Sequence, residues 1–308
     1  MNSNSSLSAD ELRHVSGSLK RAHMSDHLAT AVFYVVSGAF VLLLIAFTMY
    51  VVWGGIKAFR PEIFSFDANG IGNQFFNTVY LVFLSLVISV PIGIFAGVYM
   101  AEYAPEGRIN HALRIAIETL SSLPSIVVGL FGYLVFIIMV GSQWNLFAGA
   151  LAVSVLSLPL ITATTYDALK ALPHGFKEGS LALGATHFET IWKVMLPAAI
   201  GPIVTGIILA AGRGFGEAAA LLYTAGMSTD ISWKVWDITS PVCPLNPFRP
   251  GETLSLQVWA SRTEGVGGSA ADTAAAASAV LMLMVLAFSI GARLISHYIT
   301  KKTEGEHA

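Results

Sequence analysis

The sequence predicts an all-α membrane protein with six transmembrane helices, and two observations carry that prediction. Of 308 residues, 55% are hydrophobic and only 12% charged, with a mean hydropathy of +0.68; a soluble domain carries about a quarter charged residues. The charged residues are also spaced so that they leave six apolar stretches of about 20 residues, the length a helix needs to cross a bilayer. Lys and Arg total 17 against 19 Asp and Glu, so no overall basic field exists to attract nucleic acid. Cys243 is the single cysteine, which excludes an intrachain disulfide framework and a CxxC metal or redox site.

Taken in order, residues 1–27 form a polar tail. Within it Ser8 and Glu11 have the spacing of a capping box, and Leu7 and Leu12 that of a hydrophobic staple. Leu12, Val15 and Leu19 then share a face, which suits either a helix lying on the membrane surface or a frayed tail. The membrane domain covers 28–298. Span one lies between Asp26 and Lys57; it is longer than the apolar region of a secretory signal and lacks a cleavage site after it, so it is expected to stay as an anchor. Span two lies between Asp67 and Glu102. From Glu118 to Asp167 no charge occurs, room enough for spans three and four with a turn near Gly141-Ser142-Gln143. Span five runs from about Ala198 to Leu222 and contains Arg213 and Glu217; span six runs from about Ala270 to Ile290. Pro91, Pro159 and Pro202 are expected to bend spans two, four and five, because each removes a backbone donor. Gly93–Gly97 and Gly212–Gly216 have the small-xxx-small spacing that lets helices approach closely. Residues 299–308 are a solvated tail whose Lys301 and Lys302 anchor the end of span six.

Alternate loops differ in positive charge. Arg13, Lys20, Arg21, Arg108, Arg114, Lys170, Lys177, Lys193, Arg293, Lys301 and Lys302 fall on one side, against Lys57, Arg60, Lys234, Arg249 and Arg262 on the other. The richer side, with both termini, is therefore expected in the cytoplasm. The outer loop, 226–268, holds Pro241, Pro244, Pro247 and Pro250, too many for a continuous helix. Its TLSLQVWAS stretch alternates partly like a strand. The loop reads either as an ordered connection with tryptophans at the membrane surface, or as a docking surface for an extracytoplasmic partner with Trp233, Trp236 and Trp259 as anchors.

The most informative loop lies on the positive side, 171–197. Pro173 suits a first helical turn, Gly184 suits the left-handed position that ends a helix, and Thr186 with Glu189 makes a capping box, so a second helix should start at His187 and run toward Pro197. The resulting knob offers Leu181, Leu183, Phe188 and Ile191 to a groove on another protein, or packs against its own helices. Glu178-Gly179-Ser180, then Gly184, then after nine residues Val194-Met195-Leu196-Pro197, resembles the EAA loop of ABC importer permeases, E-A-A-x3-G-x9-I-x-L-P. Gly179 and Ser180 replace two alanines and Val194 an isoleucine, keeping the side chains small or apolar. The resemblance implies a type I ABC importer permease fold. It also implies that this loop is the coupling helix seated in a cytoplasmic ATPase, with Glu178, Gly179, Ser180, Leu181, Leu183, Gly184 and Phe188 at the contact.

Span five contains Gly212-Arg213-Gly214-Phe215-Gly216-Glu217. An arginine near the centre of a span costs about 2.5–3.5 kcal/mol on insertion scales, so it should face a partner or a watery path. Four residues apart on a helix, Arg213 and Glu217 would share a face. They could neutralise each other, or Arg213 could meet a passing tetrahedral oxyanion with Glu217 orienting it or serving as resting counter-ion. The string RGFGEAAALLYTAG resembles the R-A-x-G-E-T-A-P-L-L-x-T-A-G segment of PstA-type permeases of bacterial phosphate importers. Ser122, Leu123, Pro124, Ser125, Gly129 and Gly132 match the same family, and the similarity covers about 75–295. Ala218 and Ala220 stand where threonine and proline are usual. This resemblance implies inorganic phosphate as cargo and an inner-membrane location. The implied partners are a related PstC-type permease, a dimer of PstB-type ATPases and an extracytoplasmic phosphate-binding protein. Arg213 would form half of a site at the permease interface.

Other classes fare worse. The chain has no HExxH or GxSxG motif, its eight histidines lie outside the span centres, and no GxxxxGK[ST] phosphate loop is present. A non-catalytic chain is expected, binding no cofactor itself and relying on a partner subunit to use ATP. A passive anion channel would employ Arg213 but has no use for the EAA-like loop. Sulfate, molybdate or phosphonate as cargo stays open.

Overall fold

The computed structural model describes residues 9–67, 70–105, 107–265 and 268–305. The capping box and staple at Leu7–Leu12, the face of Leu12, Val15 and Leu19, and the anchoring lysines Lys301 and Lys302 fall outside the described side chains. The chain divides into two compact units, Met1–Val51 and Val52–Ala308, a boundary inside the stretch the sequence assigns to one membrane domain. Helix α1, Ala9–Ala58, carries the first apolar stretch, His23–Ala58.

All regular structure in the second unit is helical, with no strand among the described residues. Helix α2 is Gly72–Tyr103, α3 Arg108–Ser122, α4 Ser125–Met139 and α5 Leu146–Lys170. Helices α6, His174–Ala182, and α7, His187–Ala198, make the elbow, followed by α8, Ile200–Gly216, and α9, Ala219–Thr224. After a proline-rich segment come α10, Leu254–Thr263, and α11, Gly268–Gly305. Among the described residues four helices are long and apolar enough to span a membrane alone, and two bent pairs raise the number to six if each pair counts as one span.

Helix α5 is the centre of the unit. Ala148, Ala150, Ala152, Val153, Leu156 and Ile161 are buried all round its circumference, the pattern of a helix enclosed by others. Its closest neighbour is α2. The approach is set by glycine: a Cβ on Gly93 would lie 2.7 Å from Ile161, and one on Gly97 would lie 2.6 Å from Thr165 and 2.8 Å from the Thr162 carbonyl. Ser154 Oγ, donating to the Ser85 carbonyl at 3.0 Å, pins the same pair. Gly129 and Gly132 of α4 have no room for a Cβ against Ala220 and Thr224.

Three expectations are corrected. Span three, expected as one continuous helix, is bent near its start: α3 and α4 meet at 96°, because Leu123 is held extended before Pro124. Span five bends by 69° at Ala199, which leaves Pro202 in the first turn of α8, and it stops at Gly216 rather than Leu222. The TLSLQVWAS stretch is helix, not strand. Thr253 caps it by accepting from the Leu256 amide, and Leu254 and Val258, four apart, pack with Ala276 and Ala277 of α11.

Candidate functional site

The elbow forms from local signals. At the end of α6 the Gly184 amide donates to the Leu181 carbonyl at 3.0 Å and the Ala185 amide to the Ser180 carbonyl at 3.3 Å, with Gly184 at φ +86°. These are the two bonds of a Schellman motif, whose left-handed position glycine fills at least cost. Thr186 then caps α7, accepting from the Glu189 amide at 3.2 Å while the Glu189 carboxylate accepts from the Thr186 amide at 3.1 Å. Leu183 is 91% exposed and Phe188 61%, with Leu181, Glu178 and Gly179 also at the surface. The tip is thus not folded onto its own bundle. Ile191 is different: it is fully buried with Val98, Leu169 and Met195, so it is the elbow's root and not part of its offered surface. Ser180 and Thr190 join the two arms through their hydroxyls, 2.9 Å apart.

Glu102, which in the sequence serves only to mark the end of span two, lies beneath this elbow. Its side chain is 6% exposed, and its carboxylate accepts from Lys177 Nζ of α6 at 2.6 Å and lies 3.3 Å from His187 Nε2 of α7. The Tyr103 ring packs on that of His187, with centroids 5.1 Å apart. The available signal was one carboxylate closing an apolar span, with a basic residue on each side of Gly184.

Arg213 lies in the last turn of α8, exposed, without a hydrogen bond or ion pair among the described residues. The expected shared face with Glu217 is not formed. The helix ends at Gly216, and Glu217 turns extended, at φ −72° and ψ 126°; the four-residue rule needs helix through both positions. Glu217 is buried, and its carboxylate accepts from the Ala220 amide at 3.1 Å, capping α9. Gly214 packs toward Val82 and Val153, whereas a Cβ on Gly212 or Gly216 would meet nothing within 4 Å. The guanidinium therefore stands on an open face with bare backbone to either side.

At the proline-rich end, Arg249 is 1% exposed and fully engaged. It donates to the carbonyls of Cys243, Pro244 and Pro250 at 3.0, 3.1 and 3.2 Å and to Asn77 Oδ1 at 2.6 Å. Asn77 Nδ2 donates to the Glu252 carbonyl at 2.9 Å, and Gln74 Nε2 to the Glu252 carboxylate at 3.0 Å. Burial raises Glu252 to about 7, against the opposing hydrogen bond from Gln74. Trp233 is no free anchor: its indole donates to Asn73 Oδ1 at 3.0 Å and packs on Phe66 and Phe76. Trp236 is 62% exposed. Among the described residues no group of His, Cys, Asp and Glu could hold a metal. A cavity of about 180 Å³ lies between α2, α3 and α5, lined by Arg114, Glu118, Thr162, Tyr166 and Asp167, with the Arg114 guanidinium 5.3 Å from the Tyr166 ring centroid.

Residues 89–304 match the family described as binding-protein-dependent transport system inner membrane component. The chain belongs to this family. It is thus the membrane-spanning permease subunit of an importer of the ABC type, a multi-pass membrane protein. Among relatives, a probable ABC transporter permease, YqgI of Bacillus subtilis (strain 168), is 40% identical over 286 residues, 91% of this chain and 97% of that protein. The phosphate transport system permease PstA of Xylella fastidiosa (strain 9a5c) is 33% identical over 229 residues, 73% of this chain and 74% of its own length. Among solved structures, a bacterial alginate ABC transporter in complex with its alginate-bound periplasmic protein superposes with a TM-score of 0.63 at 15% identity, covering 91% of this chain and 98% of that one. The inward-facing MetNI methionine transporter gives 0.53 at 20% identity, covering 75% and 94%. Both share the permease fold.

Proposed function

We propose that the chain is the permease subunit of an ATP-driven importer of inorganic phosphate in a bacterial inner membrane, with its basic side and both termini in the cytoplasm. The observation that carries the cargo is Arg213, a permanent cation with no partner among the described residues, on an open glycine-flanked face of α8, which together with α7 is long and apolar enough to span the bilayer. A planar donor fork there suits a tetrahedral oxyanion, and PstA relatives are named for phosphate transport. Glu217 shapes the path by fixing the turn after Arg213, not by pairing with it. A second, related permease of PstC type completes the site across the open face. The exposed elbow, with Glu178, Gly179, Ser180, Leu181, Leu183, Gly184 and Phe188, docks a PstB-type ATPase dimer, and an extracytoplasmic phosphate-binding protein delivers the cargo to the opposite end. The chain itself is non-catalytic and binds no cofactor; ATP is used by its partner.

The test is uptake of radiolabelled phosphate by the reconstituted importer. Arg213→Gln should lower it at least a hundredfold while membrane insertion and co-purification of the ATPase stay intact. Uptake that survives the substitution refutes the role of Arg213, and stronger competition by sulfate or molybdate than by phosphate reassigns the cargo.

A further inference from the structure

We infer that Glu102 is the positioning residue that passes movement of the elbow to α2, and so couples the ATPase to the transport path. The inference rests on the coupling role proposed above for the elbow.

The two arms of the elbow are held in different ways. Helix α7 is rooted by apolar packing, since Ile191 and Met195 join the cluster beneath it. Helix α6 buries no residue, and its side-chain hydrogen bonds among the described residues are Lys177 to Glu102 and Ser180 to Thr190. Without Glu102 the α6 arm would be tied through its chain connections, to α5 by residues 171–173 and to α7 by the Schellman turn, and through one hydroxyl pair. A push on the tip would then reach the bundle through α7 and the α5 connection, with no polar contact from α6 to the end of α2. With Glu102 both arms end on a single nearly buried carboxylate, through a 2.6 Å contact to Lys177 and a 3.3 Å contact to His187. Charge-assisted bonds of this kind are short and directional.

The receiving helix suits transmission. Helix α2 is 32 residues long, is clamped along α5 at Gly93 and Gly97, and at its other end presents Gln74 and Asn77 to the network around Arg249 and Glu252 and Asn73 to the Thr229 carbonyl and the Trp233 indole. Glu102 lies in a π-helical turn, Tyr99–Tyr103, at the end nearest the elbow, a feature that often marks a functional position in a helix. One rigid element therefore connects the elbow with the proline-rich end.

The test uses the complete importer, permeases and ATPase together, in liposomes. Glu102→Gln and Lys177→Met should each leave assembly and ATP hydrolysis within about twofold of native, yet lower phosphate imported per ATP at least tenfold. The double variant should be no worse than either single one, as for two members of one contact, and Lys177→Arg should retain coupling. A second readout needs no cargo: with Cys243→Ser and Tyr99→Cys, vanadate trapping should change the maleimide labelling rate of position 99 severalfold when Glu102 is present, and leave it unchanged in Glu102→Gln. A native complex that moves no phosphate refutes the cargo assignment alone, and the labelling then decides the coupling. Native coupling in Glu102→Gln, loss of the ATPase from the complex, or labelling that ignores nucleotide in the native background or shifts equally in the variant overturns the inference.

Discussion

At the scale of the residue, Glu252 shows how burial sets a protonation state. Its carboxyl is 5% exposed beside Gln74, and burial lifts it from the ordinary 4.5 to about 7. A carboxyl raised in the folded state stabilises the fold fully below about 4.5, and that contribution is lost as pH climbs through about 7, a difference of about 3 kcal/mol. Thermal melts of the detergent-solubilised protein should therefore fall in midpoint between pH 4.5 and 7.5, and Glu252→Gln should flatten that dependence; an unaltered slope would remove Glu252 as its source. Arg213 was legible in the sequence because a cation inside an apolar stretch has a known cost. Its supposed partner was misjudged because counting four residues presumes a helix that in fact ends at Gly216. Glu102 was passed over because its role depends on Lys177 and His187, 75 and 85 residues away.

At the scale of the element, the elbow was readable in detail. The Schellman turn at Gly184 and the capping box at Thr186 are closed by residues within five positions of each other, so local sequence suffices. The glycine spacings separated only on folding. Gly97 lies against α5 with no room for a Cβ, whereas Gly212 has open space. Gly97→Val should lower stability by about 1–3 kcal/mol or more by overpacking, measured as a reduced melting midpoint, while Gly212→Ala leaves it unchanged; equal effects would deny the packing role of Gly97. Lack of charge gave the apolar stretches but not their direction, since Pro124 turns the chain within one of them and Ala199 at the edge of another. TLSLQVWAS was misread because nine residues offer too few turns to distinguish period 2 from period 3.6 when Thr253 already caps a helix.

At the scale of the whole molecule, the excess of Lys and Arg in alternate loops predicts an orientation that can be tested directly. A reporter fused after Ala308 should be cytoplasmic, with a fused GFP fluorescent and a fused alkaline phosphatase inactive; the reverse would invert the proposed arrangement and put the elbow out of an ATPase's reach. Hydropathy, charge spacing and the helix-ending signals of the elbow determined the class of this protein from the sequence alone, because each acts through bulk solvation or through neighbours along the chain. Tertiary structure decided what those signals could not contain: that Ile191 is a root and Leu183 a tip, that Glu217 caps a short helix instead of pairing with Arg213, and that Glu102 gathers both arms of the elbow. The physical reason is that a side chain's work in a bundle is set by which distant helix it meets, and that distance exists only after the helices have packed.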